Sequence, residues 1–216
     1  VAVTLSPTRR TYLDTARILP GLLGLPECAE HWDSDSRLPL MSVGALTGHA
    51  TRAVFQVAHY LDDPDPGDPR PVDAAGYLAA VPDLADPDSE VNAGVRRRGQ
   101  DLATRGLRTL ATDLTRCLDD LTDRLPTEPV TRQVRVFGGH PMLLDEYLRT
   151  RLVELVVHLD DLALSLGVPT PDLPDAALVE VVEVLVGVAR RRHGPLAVVR
   201  ALARRERDTV RALRVL

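Results

Sequence analysis

From Arg151 to Gly167 the chain reads RLVELVVHLDDLALSLG, and this stretch restricts the possible folds more than any other. At about 100° per residue, Tyr147, Arg151, Glu154, His158, Asp161 and Ser165 fall in one helical sector about 80° wide. Between residues 152 and 166, Asp160 is the only polar residue outside that sector. A surface helix carries a wider polar face. This helix is therefore expected to be buried on most sides, with other helices around it and a narrow polar stripe that meets something specific.

The remaining sequence supplies those helices. Aromatic residues make up only 3% of the chain, and Ala, Leu, Val, Arg and Asp recur, which favours packed helices over sheet. Ser6 and Pro7 form an N-cap and first turn for a helix running to about Leu19, ahead of Pro20 and Gly21. A polar connection, PECAEHWDSDSRLP, leads to Ser42, which caps a second helix, VGALTGHATRAVFQVAHYL. The loop DDPDPGDPRP is too rich in Asp and Pro for regular structure.

A short helix at about 73–81 and a second Asp/Pro connection precede what reads as the longest helix, from Glu90 to Leu125. Its Leu102, Leu107, Leu110, Leu114, Leu118 and Leu121 recur at near-helical intervals. RQVRVFGGH reads as an extended stretch or small hairpin, and Pro141 opens a fourth helix over 142–166 that Gly167 closes. Connections of such unequal length predict an all-α four-helix bundle over residues 1–167 that is not a simple series of hairpins. Helices near 175–191 and 195–207 form a C-terminal extension, residues 168–216, expected to pack on the bundle through Leu178, Val182, Leu185 and Val188.

Charge and cysteine usage narrow the function. A formal net charge of -5 and a pI of about 5.7 argue against nucleic-acid binding, which needs a concentrated basic surface. Nine arginines against Glu206 and Asp208 do gather in residues 190–216; they read as a solvated helical face or as a surface for an anionic ligand or partner. Cys28 and Cys117 have neither CxxC spacing nor a disulfide framework around them. VAVTLSPTRR lacks a signal-peptide pattern, and no apolar run nears the roughly 20 residues of a membrane span. A soluble, cytoplasmic monomer or homodimer is expected. All 26 basic residues are arginine, a bias that fits a GC-rich genome.

The polar stripe is where chemistry is expected. An ionised glutamate among aliphatic side chains needs a partner, and a metal ion is one. Carboxylate oxygen and imidazole nitrogen suit zinc and similar divalent ions, and i, i+4 spacing puts Glu154 and His158 on the same side of the helix. Such a pair also occurs as a plain helical side-chain contact. A third ligand has to come from another helix, and His49, in SVGALTGHATRAVF, is the best placed. His59 lies about 80° away around the same helix; His31, His140 and His193 read as surface histidines in loops or at helix ends.

LPLMSVGALTGHATRAV, followed far downstream by YLRTRLVELVVHLDDLA, resembles the N-terminal metal-binding domain of mycothiol-dependent maleylpyruvate isomerases, within the DinB/YfiT-like superfamily, over about residues 6–167. The resemblance implies a four-helix bundle with long connections that holds a divalent metal, usually zinc, on His49, Glu154 and His158. It implies that Asp161 orients a ligand or braces the helix, and that Arg151 pairs with acidic neighbours or meets a substrate carboxylate. Trp32 and Leu38-Pro39 fit the family, whereas Met41 stands where tryptophan is common.

An open site of this kind would activate a thiol, mycothiol in an actinobacterial setting, for addition to an electrophile, which is either isomerised or left attached to the thiol. Arg96, Arg97 and Arg98, or the C-terminal arginines, would then clamp substrate carboxylates. The alternative on the same fold is a non-catalytic, metal-containing binding or regulatory protein.

Overall fold

A computed structural model describes residues 5–81, 88–208 and 210–215; the second Asp/Pro connection, at 82–87, and the first four residues lie outside the described residues. The Ser6 hydroxyl accepts the Arg9 N–H, and α1 runs Pro7–Ala16. It ends before the expected Leu19, and Pro20 does not break the chain. Instead Leu19–Leu23 forms α2, because a proline in a first turn lacks only an N–H that has no helical partner anyway. The same device gives α3, Pro26–Glu30, inside the stretch expected to be a polar connection. Ser42 accepts the Ala45 N–H at 3.1 Å and opens α4, Val43–Asp62, and Asp73 caps α5, Ala74–Ala80.

The single long helix expected from Glu90 to Leu125 is two helices, α6 (Glu90–Ala103) and α7 (Leu107–Arg124). Gly106 between them has φ +79°, a backbone state that glycine adopts at little cost. The leucine series survives the break because α7 keeps Leu110, Leu114, Leu118 and Leu121 buried. Gln133–Arg135 (β1) pairs antiparallel with Pro141–Leu143 (β2), so the expected hairpin forms and Pro141 begins a strand rather than a helix. The longest helix is α8, Leu144–Leu166, closed by Gly167.

Helices α1, α4, α7 and α8 make the bundle, with α8 against α1 and α4. Tyr12, Leu46, Leu114, Leu148 and Leu152 are fully buried between them. Arg9, 2% exposed, ties three elements together: its Nε donates to Asp145 Oδ1 at 2.7 Å, and its other nitrogens donate to the carbonyls of Leu125, Glu128 and Pro129. Among the described residues no helix is long and apolar enough to cross a membrane. Cys28 and Cys117 are free thiols.

After residue 167, α9 (Asp175–His193) packs on α5 and α8, and α10 (Pro195–Ala203) on α9. The buried face of α9 is Ala177, Val181, Val184 and Val188, whereas Leu178 and Val182 are exposed. Only Val188 of the expected face is fully buried, and Leu185 is half-buried. Apolar residues surround α9 on more than one side, so its pattern does not fix which stripe turns inward. Part of the basic run is structural as well. Arg191 pairs with Asp73 at 2.6 Å, and Arg192 donates to the carbonyls of Leu78, Val81 and Val215.

The tightest crossing is between α4 and α6. A Cβ on Gly99 would lie 2.5 Å from the Ala45 carbonyl oxygen, and one on Gly48 would collide with the Gly99 carbonyl. Paired glycines thus let α6 lie directly on α4, beside His49. Gly99→Ala is expected to destabilise the protein by about 1–3 kcal/mol through overpacking, although alanine is favoured over glycine inside a helix by about 1 kcal/mol. Urea unfolding measures this as a lower midpoint at unchanged slope; a midpoint at or above wild type would contradict the close crossing.

Candidate metal centre

Alanine at positions 45, 50 and 53 is buried along α4, and α4 packs against α8. This packing brings His49 onto the polar stripe of α8. Glu154 Oε2 lies 3.3 Å from His49 Nε2 and 3.4 Å from His158 Nε2, so one carboxylate oxygen sits between two imidazoles. The rings meet edge to face with centroids 4.6 Å apart, and one ligand atom from each of the three residues lies within 4.8 Å of the others. His49 and His158 are largely buried, and Glu154 keeps 27% of its side chain accessible.

The rest of the stripe supports these three. Asp161 Oδ2 is 3.0 Å from His158 Nδ1. Arg151 lies over the Tyr147 ring at 5.0 Å, donates to Gln56 Oε1 at 3.2 Å, and reaches within 4.0 Å of Glu154. The Ser165 hydroxyl donates to the Asp161 carbonyl and accepts the Arg37 N–H.

Electrostatics follow from this packing. Burial pushes the Glu154 carboxyl up, but hydrogen bonds from His158 and His49 and the charge of Arg151 outweigh it, and the group is held well below the usual carboxylate range. Burial pushes His158 down, yet Asp161 and Glu154 on either side raise it to about 9. His49 falls below its ordinary value because burial outweighs its one carboxylate partner.

Two imidazole nitrogens and a carboxylate oxygen form a donor set that suits a divalent ion such as zinc. The contact from Asp161 to Nδ1 is the outer support expected of such a ligand, since it fixes the ring and leaves Nε2 as the metal-facing atom. His49 Nδ1 is buried with no hydrogen-bond partner, so His49 lacks the support that His158 has.

His49 and Glu154 face a cavity of about 560 Å³. Its walls come from α4, the end of α5, α6, the turn of the β-hairpin and α8, and His158 stands behind Glu154 rather than in the wall. Of the three expected anion-binding arginines, Arg98 reaches the cavity, where it lies over Phe137 at 6.0 Å. Arg96 and Arg97 do not line it, and neither do the C-terminal arginines. His59 and His140 also border the cavity, and both are exposed, His140 at the hairpin turn as expected of a surface histidine.

Sequence reasoning missed Arg52, Tyr60 and Tyr77, which also line the cavity. Arg52 was within reach of the periodicity, since it follows His49 by three residues on the same helix. The tyrosines carry no such signal.

The model of the family described as the mycothiol maleylpyruvate isomerase N-terminal domain matches residues 14–163, more than half of the 216-residue chain. The chain belongs to that family, and its fold is the all-α, DinB-like bundle. No curated protein and no solved structure matches the chain.

Proposed function

We propose that this member of the mycothiol maleylpyruvate isomerase N-terminal domain family is a divalent-metal-dependent enzyme that directs a low-molecular-weight thiol, mycothiol, at a small electrophile. The observation that carries the proposal is the meeting of His49 from α4 with Glu154 and His158 from α8, on the wall of a cavity large enough for small reactants. Residues 1–167 act in this proposal as the metal-binding bundle, and residues 168–216 as an extension bracing it.

Three protein ligands leave coordination positions free, and a zinc ion held there would keep a coordinated thiol deprotonated near neutral pH. The chain's own residues have separate tasks. Asp161 accepts a hydrogen bond from the His158 Nδ1–H and aims Nε2 inward. Glu154 brings the one negative charge among the three ligands, and Arg151 beside it limits how far that carboxylate can swing. The apolar part of the wall, including Val81, Val91 and Val95, offers the electrophile an apolar surface beside the metal corner. With the thiol fixed at the metal corner, the rest of the cavity takes the electrophile, and the outcome is isomerisation if the thiol leaves again or S-transfer if it stays.

Two measurements test this. Plasma mass spectrometry of protein purified without affinity metal or chelator is expected to give about one divalent ion per chain, lost in His49→Ala. Asp161→Asn should retain the site but weaken metal affinity about 10- to 100-fold. Neither variant differing from wild type would remove the metal site from the proposal. The metal-loaded protein is further expected to consume electrophiles in a mycothiol-dependent manner, with His49→Ala inactive. Full metal content with no turnover across a broad electrophile panel would favour a non-catalytic binding or regulatory role.

A further inference from the structure

The cavity holds more positive charge than its own residues neutralise. Arg52, Arg98 and Arg151 all line it, and the one carboxylate in the wall, Glu154, is engaged by two histidines. Arg151 is partly satisfied by Gln56, Thr150 and Glu154. Arg52 and Arg98 are not: among the described residues no carboxylate pairs with Arg52, and Arg98 Nε is buried with no hydrogen-bond partner. Like charges gathered in a partly enclosed space repel. The Arg52 guanidinium is pushed below its ordinary value by burial first, and then by the charges of Arg98 and Arg151.

This arrangement stands out in a chain whose net charge is -5 and in which several other arginines find acidic or carbonyl partners. Arg9, Arg124, Arg149 and Arg191 are examples. Buried donors without partners carry a free-energy penalty that a bound acceptor removes.

We infer that Arg52 and Arg98, backed by Arg151, form an anion seat separate from the metal corner, which takes a carboxylate or another anionic oxygen group of the electrophile. The inference rests on the proposed function for the word electrophile alone; the seat is defined without the metal. Its position relative to the metal corner follows from the helices that carry it. Arg52 follows His49 by three residues on α4 and Arg151 precedes Glu154 by three on α8, so on both helices the seat is displaced about 4.5 Å along the axis from the metal ligands.

The test uses the full chain and unreactive probes: acetate, succinate and inorganic phosphate, titrated by calorimetry into wild type, Arg52→Gln, Arg98→Gln and His49→Ala. Wild type is expected to bind at least one probe with an affinity that falls as salt is added. Arg52→Gln and Arg98→Gln should each weaken binding tenfold or more, the range of a hydrogen bond to a charged group. His49→Ala should bind the same probe within about threefold of wild type, since the seat needs no metal. Arg200→Gln, on exposed α10, serves as a control that leaves affinity unchanged.

Absence of binding at tens of millimolar probe, equal affinity in Arg52→Gln, or loss of binding in His49→Ala alone would each overturn the seat; the last would place the anion on the metal instead. Should Arg52→Gln fail to fold by circular dichroism, Arg98→Gln and the salt dependence decide. Probe binding that persists in a protein found to hold no metal would separate the two proposals, with the seat upheld and the metal reading lost.

Discussion

A carboxylate largely withdrawn from water has to be compensated where it stands, and the way the two central helices meet can be traced to how Glu154 is compensated. Its partners are imidazoles from two helices far apart in sequence, His49 on α4 and His158 one turn along α8. A shift of either helix along the other by one turn would take His49 away from that charge and leave it only the partners on its own helix, His158 and Arg151. The contact therefore fixes the register of the α4/α8 interface in a way that interchangeable leucines and alanines do not. Arg9 does the equivalent at the far end of the bundle, where one buried guanidinium joins the end of α7, the following loop and the start of α8.

The space beside that contact is held open by elements that could not stand alone. Helix α5 has seven residues, too few for stability in isolation, yet Tyr77, Leu78 and Val81 from its C-terminal half form cavity wall. It is gripped at both ends from α9: Arg191 pairs with its N-cap Asp73, and Arg192 binds the carbonyls of Leu78 and Val81. Between them Gly187 admits Ala75 at close range. The arginine run that reads in sequence as a solvated or ligand-binding face thus serves in part to hold the cavity wall. This is the physical reason the C-terminal helices matter to a site that none of their side chains enters.

What could be read in the sequence follows the strength of the local constraint. The stripe on α8 was legible because few residue choices are tolerated there: polar groups at i, i+3, i+4 and i+7 amid aliphatics leave one orientation. His49 could be picked out because a histidine among alanines on the inward face of a capped helix is equally constrained. The break at Gly106 was not, since the leucine spacing of α7 continues almost in phase from Leu102 and hides a turn of irregular backbone. The inward face of α9 was misread for a related reason: with valine or leucine on several sides, only tertiary contact with α5 and α8 chooses among them. Arg52 was passed over because a single arginine on a helix is usually solvated, and its isolation from carboxylates exists only in three dimensions.

The sign of the cavity charge leads one step further. A protein with excess negative charge repels anions at long range, so arginines left unpaired inside it act only after a ligand has entered, at short range and in reduced dielectric, where their effect is large. Discrimination is then placed inside the pocket, with Arg98 lying over the exposed ring of Phe137. An uncharged molecule can enter but leaves Arg52 and Arg98 without a partner. A molecule with a suitably placed anionic group satisfies both and is held against the corner formed by His49 and Glu154. Selection and positioning are in that case the same event, because the contacts that neutralise the arginines also set how far the bound molecule lies from the metal ligands.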